Sequence, residues 1–201
     1  MLKFLEKDTY PKVLFILFTL FWILIAIAPR YRVVWIAESV PTVLLGIFLV
    51  FTYKNFRFSN WSYSLIFFFL ILHTIGSYYS YSEMPLFDLL KELFDLSRNH
   101  YDRLVHFFYG FVFFFPIQEF LMQRFKMKGM WSAIFAFFTV ASIGAIYELI
   151  EYFVLFFVES GIVGSNYLGM QGDIFDAQKD MALDIFGAVL AWLFALFELK
   201  H

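Results

Sequence analysis

Cysteine is absent from the 201 residues, which removes disulfides, thiolate nucleophiles, zinc-finger ligation and iron–sulfur clusters together. Charge is also scarce. Only 16% of residues are Asp, Glu, Lys or Arg, where a soluble domain carries roughly a quarter. The basic residues form no cluster long enough to track a nucleic-acid backbone, so nucleic acid is not an expected partner. Neither an H-E-x-x-H helix nor a D-x-D-x-D-G loop occurs, so the standard zinc-protease and EF-hand readings fall away. No internal repeat or low-complexity tail is present. The apolar run Val13–Ala28 ends in Pro29–Arg30 without a small-x-small cleavage site, which favours a retained span over a signal peptide.

What the chain has instead is hydrocarbon. Hydrophobic residues make up 62% of it and the mean hydropathy is +0.73. Crossing a core roughly 30 Å thick at 1.5 Å per residue takes about 20 residues. Six runs are expected to do so: Tyr10–Ala28, Val33–Tyr53, Trp61–Tyr81, Tyr101–Met122, Met130–Val158 and Asp180–Leu199. Their apolar residues are continuous and do not alternate, which selects helices over a barrel. The expected fold is therefore all-α, one integral membrane domain over residues 1–201 built as a six-helix bundle.

Lys and Arg near the span ends set the expected orientation. Lys3, Lys7, Lys12, Lys54, Arg57, Arg124, Lys126, Lys128 and Lys200 fall on one side, 9 in all. Arg30, Arg32, Lys91, Arg98, Arg103 and Lys179 fall on the other, 6 in all. This places both termini in the cytoplasm of a multi-pass protein. Trp35, Tyr78, Tyr79 and Tyr81 at the outer ends, and Trp61 and Trp131 at the inner ends, read as interfacial belts. After Pro85, Leu86, Leu89, Leu90, Leu93 and Leu96 oppose Asp88, Lys91, Glu92 and Asp95, the pattern of a short helix lying in the interface. Gly161, Gly164, Gly169 and Gly172 mark an irregular loop, after which Asp173 is expected to cap the last helix.

Ionisable residues within spans are costly and so point to function. They concentrate toward the outer ends: Glu38, His73, His100, Asp102, Arg103, His106, Glu148, Glu151, Asp173, Asp176, Asp180 and Asp184. Glu119, Gln118 and Glu198 lie at the inner ends and read as interface residues. Asp102 and His106 share a helix face, as do Glu148 and Glu151. Asp173, Asp176, Asp180 and Asp184 form one stripe, continued by Ala188, Ala191 and Ala195. Ala145, Ser142 and Ala141 precede Glu148 in the same way, and small residues of this kind line helix contacts in membranes. The carboxylates are thus expected to face a shared pocket, their charge balanced by cations, protons, Arg98 and Arg103, or a cationic ligand.

Two His among several carboxylates suit zinc, manganese or iron; carboxylates alone suit magnesium or calcium. The candidate divalent-metal ligands are His73, Asp102, His106, Glu148, Glu151, Asp176, Asp180 and Asp184. His100 or His106 would act as acid or base, with Arg98 or Arg103 on phosphate. Architectural readings stand beside these: helix capping for Asp173 and Asp176, an interhelical hydrogen bond for His73, interfacial anchoring for Arg98 and Arg103.

Four ordered blocks, His73–Leu86, Ser97–Gly110, Tyr147–Tyr152 and Gly172–Ala188, resemble the YjdF-type bacterial inner-membrane proteins, a family without an assigned activity. The last three more distantly resemble the VanZ-like envelope proteins through Asp102, Arg103, His106, Glu148, Asp180 and Gly187. Glu151 and Asp184 replace the Gln and Asn usual in that pattern and make the site more acidic. The resemblance implies a bacterial inner-membrane location. Three functions stay open: a metal-dependent hydrolase, transferase or binder acting on a lipid or lipid-linked substrate; a proton- or cation-coupled transporter; and a non-catalytic factor binding lipid or a protein. The apolar inner halves weigh against transport, because a pathway should stay polar to the far side.

Overall fold

The computed structural model describes residues 9–154 and 171–198. All regular structure among them is helical: α1 (Thr9–Ile25), α2 (Arg32–Thr52), α3 (Asn60–Tyr79), α4 (Pro85–Leu93), α5 (Tyr101–Arg124), α6 (Met130–Val154) and α7 (Asp176–Glu198). Five of these, α2, α3, α5, α6 and α7, are long and apolar enough to cross a membrane. The expected first span is the exception. Its helix covers 17 residues, about 26 Å at the α-helical rise, and ends at Ile25 where 28 was expected. Pro29 lies just beyond, and the residue before a proline is biased away from helix. Six spans are therefore not reached by length. The span expected to run to 158 is described to Val154, and Gly161, Gly164, Gly169, Lys3, Lys7, Lys200 and the side chain of Glu198 lie outside the described residues.

The bundle is organised around α5, which packs on α3, α6 and α7, while α1 and α2 lean on α3. Glycine makes the closest crossing. A Cβ at Gly110 of α5 would strike the backbone of Asp184, and one at Gly187 of α7 would strike the backbone of Phe107. Side-chain-free contact of this kind is how helices associate in lipid, where hydrophobic burial offers no gain. Toward one end the alanine stripe behaves as expected: Ala188 and Ala191 are fully buried against Phe114, Ala133, Ala136 and Val140. Phe56, Phe58 and Tyr63 close the same end with Phe120. Outward-facing residues such as Phe51 and Leu24 are 78% and 65% exposed, which makes lipid their solvent.

Two loops are tied by side chains. Ser59 caps α3 by accepting from the Ser62 N–H at 3.2 Å. Glu119 of α5 then accepts from the Ser59 N–H at 2.6 Å and the Ser62 hydroxyl at 2.5 Å. At the opposite end α4 has no buried residue, as an interfacial helix requires, and hangs from Asn99. The Asn99 amide donates to Met84 O and Asp88 Oδ1 at 3.0 and 2.8 Å, and its Oδ1 accepts from the Tyr101 N–H at 3.0 Å. Asn99 thus both starts α5 and holds α4.

Candidate metal centre

Local structure aims the first group of polar side chains. Ser80 ends α3 in the left-handed conformation, φ 60°, and the next residue turns back so that the Tyr81 N–H donates to Gly76 O. A side chain at position 76 would collide with the Tyr81 ring, so glycine is what lets the ring lie back along the helix. The Tyr81 hydroxyl then stands 2.6 Å from His73 Nδ1 and 3.4 Å from Glu38 Oε2. His73 Nε2 lies 2.9 Å from the Glu38 carbonyl, and Tyr147 of α6 donates to Glu38 Oε2 at 2.5 Å. Glu38 is 1% exposed, and its Oε1 has no hydrogen-bond partner among the described residues.

Placed alongside is the group around His106. Its Nδ1 is 3.0 Å from Asp184 Oδ1 on α7. Its Nε2 faces Glu148 Oε1 of α6 at 3.3 Å and Asp102 Oδ1, one turn back on α5, at 3.9 Å. Asp102, His106 and Asp180 each present a ligand atom within 4.8 Å of the others. Gly144 of α6 leaves the space that the Asp184 carboxylate fills. Asp180, Asp184 and Glu148 are 2%, 1% and 8% exposed. Among the described residues each keeps a buried oxygen without a hydrogen-bond partner: Asp180 Oδ1, Asp184 Oδ2 and Glu148 Oε1. Glu148 Oε1 does lie in ion-pair reach of His106, so its partner depends on the imidazole's protonation. Buried carboxylate oxygens of this kind are costly unless something positive satisfies them.

A third group ties the start of α5 to the start of α7. Arg98 is 3% exposed and pairs with both oxygens of Asp176, the second at 3.2 Å. Arg103 donates to Asp173 Oδ2 at 2.6 Å and reaches Asp176 at 3.5 Å, and Lys179 donates to Asp173 at 2.5 Å. Asn99 and Gln171 exchange two bonds, at 2.8 and 2.9 Å. The Lys179 hydrogen bond is the first cause holding the Asp173 carboxyl at about 2, with the Phe175 N–H, the Lys179 charge and Arg103 adding. His100 lies beside this group, its imidazole pushed down by burial and by Arg103 and Arg98.

The sequence-predicted residues thus separate. Asp102, His106, Glu148, Asp180 and Asp184 come together; Glu151, one turn beyond Glu148, is half-buried. His73 sits in the neighbouring group with both ring nitrogens engaged, and Asp176 is held by the two arginines. Arg98 and Arg103 bind carboxylates of α7 and its approach. Some expectations change. The buried face of α6 runs Val140, Gly144, Glu148, whereas Ser142 is exposed. Asp173 accepts from the Phe175 N–H at 3.1 Å in a turn ahead of a helix that begins at Asp176, so it is not the residue adjoining that helix. Trp35 is buried against Trp22, their ring centroids 5.1 Å apart, and Tyr81 is buried in the site; neither belongs to an interfacial belt. Glu38, Tyr81 and Tyr147 join the site although spacing did not single them out as ligands; the one signal was Glu38, a lone carboxylate in an otherwise apolar span.

The comparisons agree with this picture at the level of family. The profile of the predicted membrane proteins DUF2238 matches residues 10–201. The chain belongs to this family. It is 32% identical to the inner membrane protein YjdF of Escherichia coli (strain K12) over 177 residues, 88% of this chain and 84% of that protein. No solved structure matches. With its long apolar helices, the family member is a multi-pass protein of the inner membrane.

Proposed function

We propose that this protein is a membrane-embedded divalent-metal protein whose centre is built by Asp102, His106, Glu148 and Asp180, and that it acts on or binds a lipid or lipid-linked substrate from the extracytoplasmic side. The observation that carries the reading is the division of labour at His106. With Nδ1 3.0 Å from the buried Asp184 carboxylate, a ring that donates its Nδ1 proton there would turn the Nε2 lone pair toward Asp102 and Glu148, beside Asp180. A carboxylate behind a histidine is the usual outer support of a metal ligand. The unpartnered oxygens of Asp180 and Glu148 at the same point support the reading, because a cation would satisfy both. The mixed N and O donor set suits zinc, manganese or iron, and a carboxylate subset suits magnesium.

A bound metal would supply Lewis-acid polarisation of an ester or phosphoryl oxygen. The protein's own residues do the rest. His106 is held in one orientation by Asp184, Tyr147 stands beside it with ring centroids 6.3 Å apart, and its hydroxyl donates to Glu38. The cytoplasmic placement of both termini, from the 9-to-6 distribution of Lys and Arg, puts this end of the bundle outside. The more acidic positions Glu151 and Asp184 separate the site from the VanZ-like pattern and favour a cation.

Metal analysis by mass spectrometry tests the reading on detergent-purified protein, wild type beside Glu148→Ala/Asp180→Ala. Near-stoichiometric metal in the wild type, lost in the double variant, is expected. A folded wild type without metal after incubation with zinc, manganese, iron and magnesium would sink it and turn attention to protonated carboxylates.

A further inference from the structure

A cavity of about 450 Å³ begins at this site and does not end there. That volume lies within the usual range of ligand pockets, roughly 300–1,000 Å³. Its polar end is made by Asp102, His106, Tyr147 and Asp184, and from there the lining turns almost wholly apolar through Leu45, Phe113, Ile117 and Leu121. One face of α5 supplies the length of it. From Asp102 to Leu121 the helix rises about 28 Å, close to the full hydrocarbon thickness. The opposite wall is α2, which leans on α3 and meets α5 and α6 through side chains, Phe48 with Phe120 and Glu38 with Tyr147.

We infer that this cavity seats one hydrocarbon chain of a membrane lipid, with the polar end of that lipid delivered to Asp102 and His106, the two members of the proposed centre that line it. The inference rests on the proposed function and names its substrate class: a long-chain lipid whose ester or phosphate follows the chain. Shape and polarity argue for it together. A water-filled path would need polar lining, whereas this one is apolar over most of its length and polar at one end only. The bilayer is the surrounding solvent, so a lipid chain is present at high concentration. Moving that chain from bilayer to cavity exchanges one apolar setting for another and contributes little free energy. Selection therefore belongs to the head group at the carboxylate–histidine end, and the cavity acts by placing it.

The test uses the whole protein in nanodiscs containing phosphatidylglycerol with a diazirine at the end of one acyl chain. Photolabel is expected on cavity residues Leu45, Ile117 and Leu121, and to fall at least ten-fold in Leu45→Trp/Ile117→Trp. Metal content should stay unchanged in that variant, since neither residue is near the centre. Label confined to lipid-facing positions such as Leu44 and Phe51, and insensitive to the two tryptophans, would overturn the inference even with metal bound. Cavity labelling in a metal-free wild type would uphold the chain site and remove the metal reading alone. Should the double variant lose its thermal transition, the label map of the wild type decides by itself.

Discussion

Two buried histidines lie side by side in this bundle and differ in what their second nitrogen meets. His73 spends one ring nitrogen on the Glu38 carbonyl and the other on the Tyr81 hydroxyl. His106 spends one on Asp184 and presents the other to Asp102, Glu148 and Asp180. Burial is nearly the same, 7% and 9% exposed, so enclosure by protein does not distinguish them. The partners do. A histidine with both nitrogens engaged by neutral groups is a strut between α2, α3 and the turn after α3; one beside a carboxylate and facing three more is, on the proposed reading, where a cation would bind.

The comparison breaks most visibly by substitution of each ring. His106→Gln is expected to remove nearly all bound metal, and His73→Gln to keep it; equal loss in both would erase the distinction, and mass spectrometry of the purified variants reads it. Next in size is the brace. Asp184→Ala should weaken metal binding by roughly 10- to 100-fold in a competition titration, and Asp184→Asn less, because its amide oxygen can still accept from Nδ1–H. An Asp184→Ala affinity equal to wild type would mean the brace is packing only.

Smaller effects sharpen the strut side. Tyr81→Phe deletes the hydroxyl at His73 Nδ1 and should cost about 1 kcal/mol of stability with no change in metal affinity. The smallest effect belongs to the surface tie at Asp173. Its carboxyl is held at about 2, below the ordinary 3.8, so the folded state favours the ionised form. That contribution is complete above the ordinary value and is lost as pH falls through it toward 2. The gap in melting temperature between wild type and Asp173→Asn should accordingly be small at pH 7 and vanish near pH 2; a gap that widens in acid contradicts it.

Much of this was legible in the order of residues, for identifiable reasons. The Pro85 start and the opposed Leu and acidic positions located α4, although the helix ends at Leu93, short of the Leu96 that the pattern reached. Asp102, His106, Asp180 and Asp184 announced themselves because charge inside an apolar run has few innocent explanations. Which face of α6 turns inward was harder to read. A helix with lipid on one side and protein on the other is apolar all round, so Ser142 and Gly144 are equally small and only packing selects Gly144. Tyr81 and Trp35 carried the composition of an interfacial belt, and a left-handed Ser80 and a tryptophan on another helix redirected them. Contacts between distant helices, Tyr147 with Glu38 above all, leave no trace in local spacing.

The glycine crossing of α5 and α7 also bears on how the molecule is made. Asp180 and Asp184 lie in the first half of a helix synthesised after α5 and α6, and acidic residues within a span make its entry into a bilayer costly. Gly110 and Gly187 let the arriving helix dock flush against one already seated, so its acids can exchange water for His106 without an interval in bare lipid. A substitution at Gly110 is accordingly expected to appear first as a failure of α7 to integrate into the membrane.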